Sequence, residues 1–298
     1  MTDPTRAIVT GAGGFLGRAV VARLNASGTT VLAPSRSDLD WCDSAAVSQF
    51  IAQAGAATIY HLASGGVTNA DADDPRIFDD ELAMARAIGA AAISGMRVVY
   101  AGSMAEYGRA GRLTETDEVT PQNGYARAKV EAGAILDEAA QARGFSLIHV
   151  RLFGLYGPGE RSGRLLPAIL SALRKRQPIA LSDGTQRRDF VHVADAARAL
   201  EALGSLPDGP AIVNVGTGIA LQVRRVALAL AHELGADSGL LRFGERPRSP
   251  HDQDVLEADT ALLDATLGWV PPQRLASPGA ILANLDVARA SAALGADR

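Results

Sequence analysis

The sequence has a single cysteine, Cys42, in 298 residues. No disulfide can form within the chain, which points to a reducing compartment. It also lacks an excess of basic charge: 29 Lys and Arg stand against 33 Asp and Glu, so the net charge is 29 − 33 = −4. That balance argues against nucleic acid or an anionic membrane surface as the main partner. It leaves room for a local arginine that holds an anionic small ligand. No apolar run approaches the roughly 20 residues of a membrane-spanning helix. The stretch Ala7 to Val9 near the start is too short for a signal-peptide core. A soluble, cytoplasmic protein is expected, with no metal site. Internal repeats and low-complexity tracts are also missing.

What the chain does have is apolar residues, 47% of the total, enough for a sizeable core. Short β-branched runs at 7–10, 30–33, 58–62, 97–101 and 147–151 read as buried strands. Helical patterns at 15–26, 44–54, 80–93 and 125–143 lie between them. Strand and helix in alternation predict an α/β fold, a doubly wound parallel Rossmann sheet covered on both faces. The rhythm breaks after Arg151. A Gly/Pro loop leads to a helix near 165–176, and strands at 189–191 and 212–215, flanking a helix at 194–203, are expected to rejoin the sheet. Residues 1–152 thus form the expected dinucleotide-binding domain, rejoined by 188–218. Residues 153–187 and 219–298 form a smaller, mostly helical substrate lobe.

The first strand runs into Gly11-Ala-Gly13-Gly14-Phe15-Leu16-Gly17 and then a helix. Glycines at 11, 14 and 17 allow a tight strand-to-helix turn and close approach of a pyrophosphate to the helix N-terminus, including the backbone of Phe15 and Leu16. Cofactor choice is read at the end of the second strand, where an acid would bond a ribose 2′-OH and an arginine would take a 2′-phosphate. The residues there are Pro34-Ser35-Arg36-Ser37, with no acid before Asp38. Arg36 therefore favours NADP(H) over NAD(H), and Arg18 is placed to help. Asp40 and Trp41 are candidates for the edge and face of an adenine.

Tyr125 and Lys129 stand four apart at the start of a helix, on one face. An ammonium beside a phenol favours the phenolate, so this tyrosine can exchange a proton with an alcohol or carbonyl. Lys129 is also within reach of cofactor ribose hydroxyls. Ser103 follows the strand at 97–101 and so lies at the carboxyl edge of the sheet, where open α/β sheets bind ligands. Ser103, Tyr125 and Lys129 are the candidate catalytic residues.

Several further motifs occur in order: His61-Leu62-Ala63, Gly102-Ser103 with Glu106-Tyr107-Gly108, Arg151 through Gly159, Arg188-Asp189 through Asp195, Asn214-Val-Gly216 and Leu267-Gly268-Trp269. With the glycine loop and the Tyr125/Lys129 pair, the chain resembles the extended short-chain dehydrogenase/reductase family, in its NAD-dependent epimerase/dehydratase branch. The resemblance implies a nucleotide-sugar substrate and a homodimer through the helices at 80–93 and 125–143. It adds Leu62 and Ala63 to the cofactor contacts, and Arg188, with Arg248 as a second anchor, to the substrate pyrophosphate. Arginine suits that role because its planar fork binds phosphate bidentately. Many members carry asparagine at the position of Gly154, so the resemblance does not choose among dTDP, GDP, CDP and UDP.

Dehydratases of this family place Asp-Glu directly after the Ser/Thr, whereas this chain has Ser103-Met104-Ala105. Reductases that also epimerise, such as GDP-fucose synthase, carry a cysteine and a histidine at the positions of Ala105 and Arg164. What remains is reduction of a nucleotide-linked 4-keto-6-deoxysugar, favoured by Arg36, with a 4-epimerase as the alternative. A non-catalytic dinucleotide-binding redox sensor is the remote alternative, since all three catalytic candidates are present.

Overall fold

The computed structural model describes residues 2–65, 74–277 and 279–285. Its largest sheet has six strands. β1 (Asp3–Thr10) is flanked by β2 (Thr30–Leu32) on one side and β3 (Ala56–His61) on the other; β4 (Arg97–Ser103) follows, then Ser146–Leu152 and Ile212–Val215. All the neighbours pair in parallel. The last four residues of β1 are an unbroken buried run, as expected for a central parallel strand covered on both faces. Alternate side chains serve different cores. Val9 packs with Val20 and Leu24 of α1 (Phe15–Ala26). Ile8 packs with Val47 and Ile51 of α2 (Ser44–Ala54) and with Leu82 and Ile88 of α3 (Pro75–Ala91). Each such side chain stabilises the fold by roughly 1.5–3 kcal/mol on burial.

The chain passes from β1 out to β2, then crosses back to β3 on the far side of β1. The direction of winding therefore reverses between β1 and β3. In open α/β sheets the ligand crevice lies at such a switch point, beyond the carboxyl ends of the strands. Here those ends are Thr10-Gly11 and His61-Leu62-Ala63.

Helix limits follow local chemistry. The spacing starts α3 at Asp80, yet the helix begins at Pro75, because Asp74 accepts the Arg76 backbone N–H and proline fits the first helical turn. Asn123 caps α4 (Gly124–Arg143), and Gly144 ends it in a left-handed conformation. The helix after the Gly/Pro loop spans Leu165–Arg174.

Of the two later strands, Ile212–Val215 rejoins the main sheet beside Ser146–Leu152. Arg187–His192 does not. It lies in a second sheet, antiparallel to Ala220–Gln222 and parallel to Val255–Ala258 and Gly154–Tyr156. The reason is Asp189, whose buried carboxylate accepts the N–H groups of Thr217, Gly218 and Ala258 and fixes the strand there. Val255–Ala258 also pairs with Gly111–Leu113, so this sheet takes a strand from the first half of the chain. Leu241–Phe243 and Ile179–Leu181 form a two-stranded ribbon. The part after residue 219 thus carries short strands as well as helices. A third apolar core brings Leu166, Ile169 and Phe190 together with Val226 and Leu230 of that part.

Candidate functional site

The glycine loop closes at the switch point. Gly11 has φ 66°, and a Cβ there would lie 2.8 Å from the backbone of Ala63 at the end of β3. A Cβ on Gly17 would run into the carbonyl oxygen of Gly11. Strand and helix therefore meet backbone to backbone. Thr10, the last residue of β1, sews the two strand ends together. Its hydroxyl oxygen accepts the N–H groups of Leu62 at 3.0 Å and Ala63 at 2.9 Å. With both lone pairs occupied, its own hydrogen goes to Nδ1 of His61, 2.9 Å away, and leaves the ring proton on Nε2. Burial pushes His61 down to about 4, so it is neutral.

α2, α3 and α4 are capped by Asp43, Asp74 and Asn123, whereas α1 starts at Gly14 with no side-chain cap. Its first turn, Phe15 to Gly17, offers backbone N–H groups and the positive end of the helix dipole to an anion. A dinucleotide pyrophosphate fits this glycine cradle.

At the end of β2, Arg36 is exposed and has no ion-pair partner among the described residues. The surrounding cup differs from expectation. Asp38 folds back and accepts from the Ser35 N–H at 2.9 Å and hydroxyl at 2.7 Å. Ser35 and Ser37 hydroxyls bond each other at 2.7 Å. Arg18 is not at this turn's service either. It donates to the carbonyl of Gly13 at 2.7 Å and of Gly159 at 3.0 Å, clasping the glycine loop to the Gly157–Pro158–Gly159 loop. Asp40 is exposed but holds the Cys42 N–H. Trp41 corrects the sequence reading: it is 5% exposed, packed edge-on against Phe50 in the core under α2, so its face is closed to an adenine.

Ser103, Tyr125 and Lys129 come together at the carboxyl end of β4. The Lys129 ammonium donates to the carbonyl of Ala101, two residues before Ser103, at 3.0 Å, and lies 5.9 Å from the centre of the Tyr125 ring. Ser103 and Tyr125 are both half-buried. The Ser103 Oγ accepts the Ala105 N–H at 3.2 Å, so its hydrogen is free for a ligand oxygen. Glu106 accepts the Ser103 N–H at 2.7 Å and completes a capping box around the turn Met104–Tyr107.

One residue escapes the sequence reading. Glu81 of α3 bonds the Lys129 ammonium at 2.6 Å and accepts from the Tyr100 hydroxyl at 2.9 Å, wholly buried. Burial acts to raise its carboxyl, but the Lys129 ammonium outweighs it and holds it low; burial acts to lower Lys129, and Glu81 outweighs that and raises it. The pair is ionised. A signal was available: Glu81 lies four and seven residues before Ala85 and Ile88, on the core face of its helix.

Arg188 and Arg248 also come together. Both ion-pair with Asp252, Arg248 at 3.5 Å, and Arg248 also meets Asp254 at 2.8 Å. Arg188 does not pair with Asp189 or Asp195; the latter accepts from Nε and Nη2 of Arg274, each at 2.6 Å. Among the described residues no helix is long and apolar enough to cross a membrane.

Comparison with known proteins agrees with this architecture. Over 92% of its length the chain is 27% identical to dTDP-6-deoxy-L-talose 4-dehydrogenase (NAD(P)(+)) of Kitasatospora kifunensis, covering 93% of that protein. It is 28% identical to GDP-L-fucose synthase of Azorhizobium caulinodans, over 90% of this chain and 92% of that one. The structure of MoeE5 in complex with UDP-glucose and NAD superposes with a TM-score of 0.81 at 27% identity, over 96% of this chain and 99% of that one. The model of the NAD dependent epimerase/dehydratase family matches residues 7–216. The chain belongs to that family, of the extended short-chain dehydrogenase/reductase type.

Proposed function

We propose that this protein reduces a nucleotide-linked 4-keto-6-deoxysugar with NADP(H), Tyr125 giving the proton. The observation that carries the reading is Arg36, an exposed guanidinium with no partner among the described residues at the position that chooses between the dinucleotides. A 2′-phosphate is its natural ligand. NAD(H) is the second choice, through Asp38 at the same turn.

The turn after Ser103 supports reduction over dehydration. Its one acid, Glu106, is buried and engaged by the Ser103 N–H, His149 and Arg151, so no free carboxylate stands there to assist loss of water. The relative from K. kifunensis is named as a 4-dehydrogenase that uses NAD(P), which fits redox chemistry at the same carbon.

Bound NADPH supplies the hydride. The Tyr125 hydroxyl donates its proton to the carbonyl oxygen as that becomes an alcohol, and Ser103 hydrogen-bonds the same oxygen. Lys129, anchored on Ala101 and Glu81, holds positive charge beside the phenol. Arg188 and Arg248 exchange part of their hold on Asp252 for the substrate pyrophosphate. The assembly proposed is a homodimer through α3 and α4, which light scattering checks.

A 4-epimerase is the second reading, favoured by the 30% identity over 59% of this chain to UDP-glucose 4-epimerase of Azospirillum brasilense. One experiment separates the two. With NADPD and a nucleotide-4-keto-6-deoxysugar, the reductase places deuterium at C4, about one equivalent per NADPD consumed. Interconversion of two nucleotide sugars with no added cofactor and no label overturns that reading.

A further inference from the structure

The shortest contact of Lys129 is with neither Tyr125 nor a backbone carbonyl, but with Glu81, at 2.6 Å. Lys129 is 2% exposed and Glu81 1%. Every element around the ammonium brings a polar or titratable group. They are Glu81 on α3, Tyr100 and the Ala101 carbonyl on β4, Tyr125 on α4 itself, His61 on β3, and Glu106 on the turn after Ser103. His149, from the strand Ser146–Leu152, stands 5.0 Å from the Tyr100 ring and is bonded to Glu106. Glu106 is already compensated by Arg151 at 2.9 Å. Glu81 is therefore the carboxylate that answers Lys129.

A lone ammonium near a phenol draws its proton away, because positive charge stabilises the phenolate. The potential of a close ion pair falls off much faster with distance than that of a single charge. From the geometry we infer that Glu81 is a positioning residue that favours the protonated phenol of Tyr125, by pinning the Lys129 ammonium and cancelling much of its field. A site that must give a proton to a carbonyl has to hold that proton first. The inference deepens, and rests on, the assignment of Tyr125 as proton donor in a reduction. It predicts that this carboxylate biases the site toward reducing carbonyls rather than oxidising alcohols.

The test is a titration of tyrosinate absorbance in the full-length protein. Each form is measured with and without Tyr125→Phe, so that the difference reports Tyr125 alone. In Glu81→Gln the difference curve is expected to move to lower pH by about one unit. The alkaline fall in kcat/KM for carbonyl reduction moves with it. Glu81→Asp, which keeps the charge, stays near the wild-type curve. Lys129→Met moves the curve to higher pH. The doubly substituted Glu81→Gln, Lys129→Met protein, uncharged overall like the native pair, returns it to the wild-type position. That protein buries no lone charge, so it carries the test if Glu81→Gln alone fails to fold. A difference curve that stays put in Glu81→Gln, or a double variant shifted away from wild type, overturns the inference. A curve that moves as expected in a protein reducing no ketosugar upholds the role of Glu81 at the phenol and sinks the reductase reading.

Discussion

Arg151 and Glu106 meet at 2.9 Å beneath Ser103, the carboxylate fully buried and the guanidinium nearly so. Glu106 also bonds His149 at 3.1 Å and the Ser103 N–H at 2.7 Å. Removing the carboxylate strands a buried cation. Glu106→Ala is expected to cost about 3–5 kcal/mol of stability, whereas replacing Glu106 and Arg151 together with apolar residues of similar volume should be much milder. Urea denaturation of the three proteins measures both. A double variant as unstable as the single one would count against the ion pair as the cause.

Tyr125→Phe removes one hydroxyl from a half-buried ring and touches nothing in the glycine cradle. Dinucleotide affinity, followed by fluorescence titration, should persist while kcat for carbonyl reduction falls about 10²–10⁴-fold. Retention of more than a tenth of wild-type kcat, with chemistry limiting, would require another acid.

Arg36→Ala tests cofactor choice. A charge-assisted hydrogen bond contributes about 1.5–3 kcal/mol, so roughly a tenfold to hundredfold preference for NADP(H) should vanish while use of NAD(H) is nearly unchanged. Comparison of kcat/KM for the two cofactors in both proteins decides it. Equal use of both by the native enzyme would rule out the assignment.

His61 gives a pH signature in stability. Burial holds it neutral in the folded state down to about 4, below its ordinary value of 6.5. A depressed folded value means that the unfolded chain binds the proton first as pH falls. The stability is present above about 6.5 and is lost progressively down to about 4, by about 3 kcal/mol. His61→Asn should flatten the pH dependence of the denaturation midpoint across that window.

Glu160 carries the opposite sign. Burial raises its carboxyl to about 7, although Arg164 at 3.5 Å pulls the other way. A raised folded value means that its contribution is intact below about 4.5 and erodes as pH rises through 7. Glu160→Gln should therefore be more stable than wild type at pH 8 by up to about 3 kcal/mol, a gain that disappears near pH 5. An equal gain at both pH values would exclude ionisation as the cause.

The crevice was legible because its parts are local. The glycines, the uncapped start of α1 and the end of β3 follow from short stretches with strong patterns. Ser103, Tyr125 and Lys129 share an edge because parallel strands send their carboxyl ends one way. The second sheet was not legible: Gly111–Leu113, Gly154–Tyr156 and Ala220–Gln222 are three residues each, too short to show a period of two. They exist through pairing with distant partners. Trp41 and Glu81 failed in opposite directions for one reason. An indole near the cofactor turn invites stacking and an acid in a helix invites solvent, while burial decided both cases.

The clasp made by Arg18 joins residues 141 positions apart in the chain. The crevice between β1 and β3 needs only the first 63 residues, whereas its clasp waits for Gly159. During synthesis this clasp can close only after β4 and α4 have been made. Contacts of such long range form slowly, because the intervening loop must close first. Newly made protein should therefore pass through a stage in which its glycine loop is still open on one side.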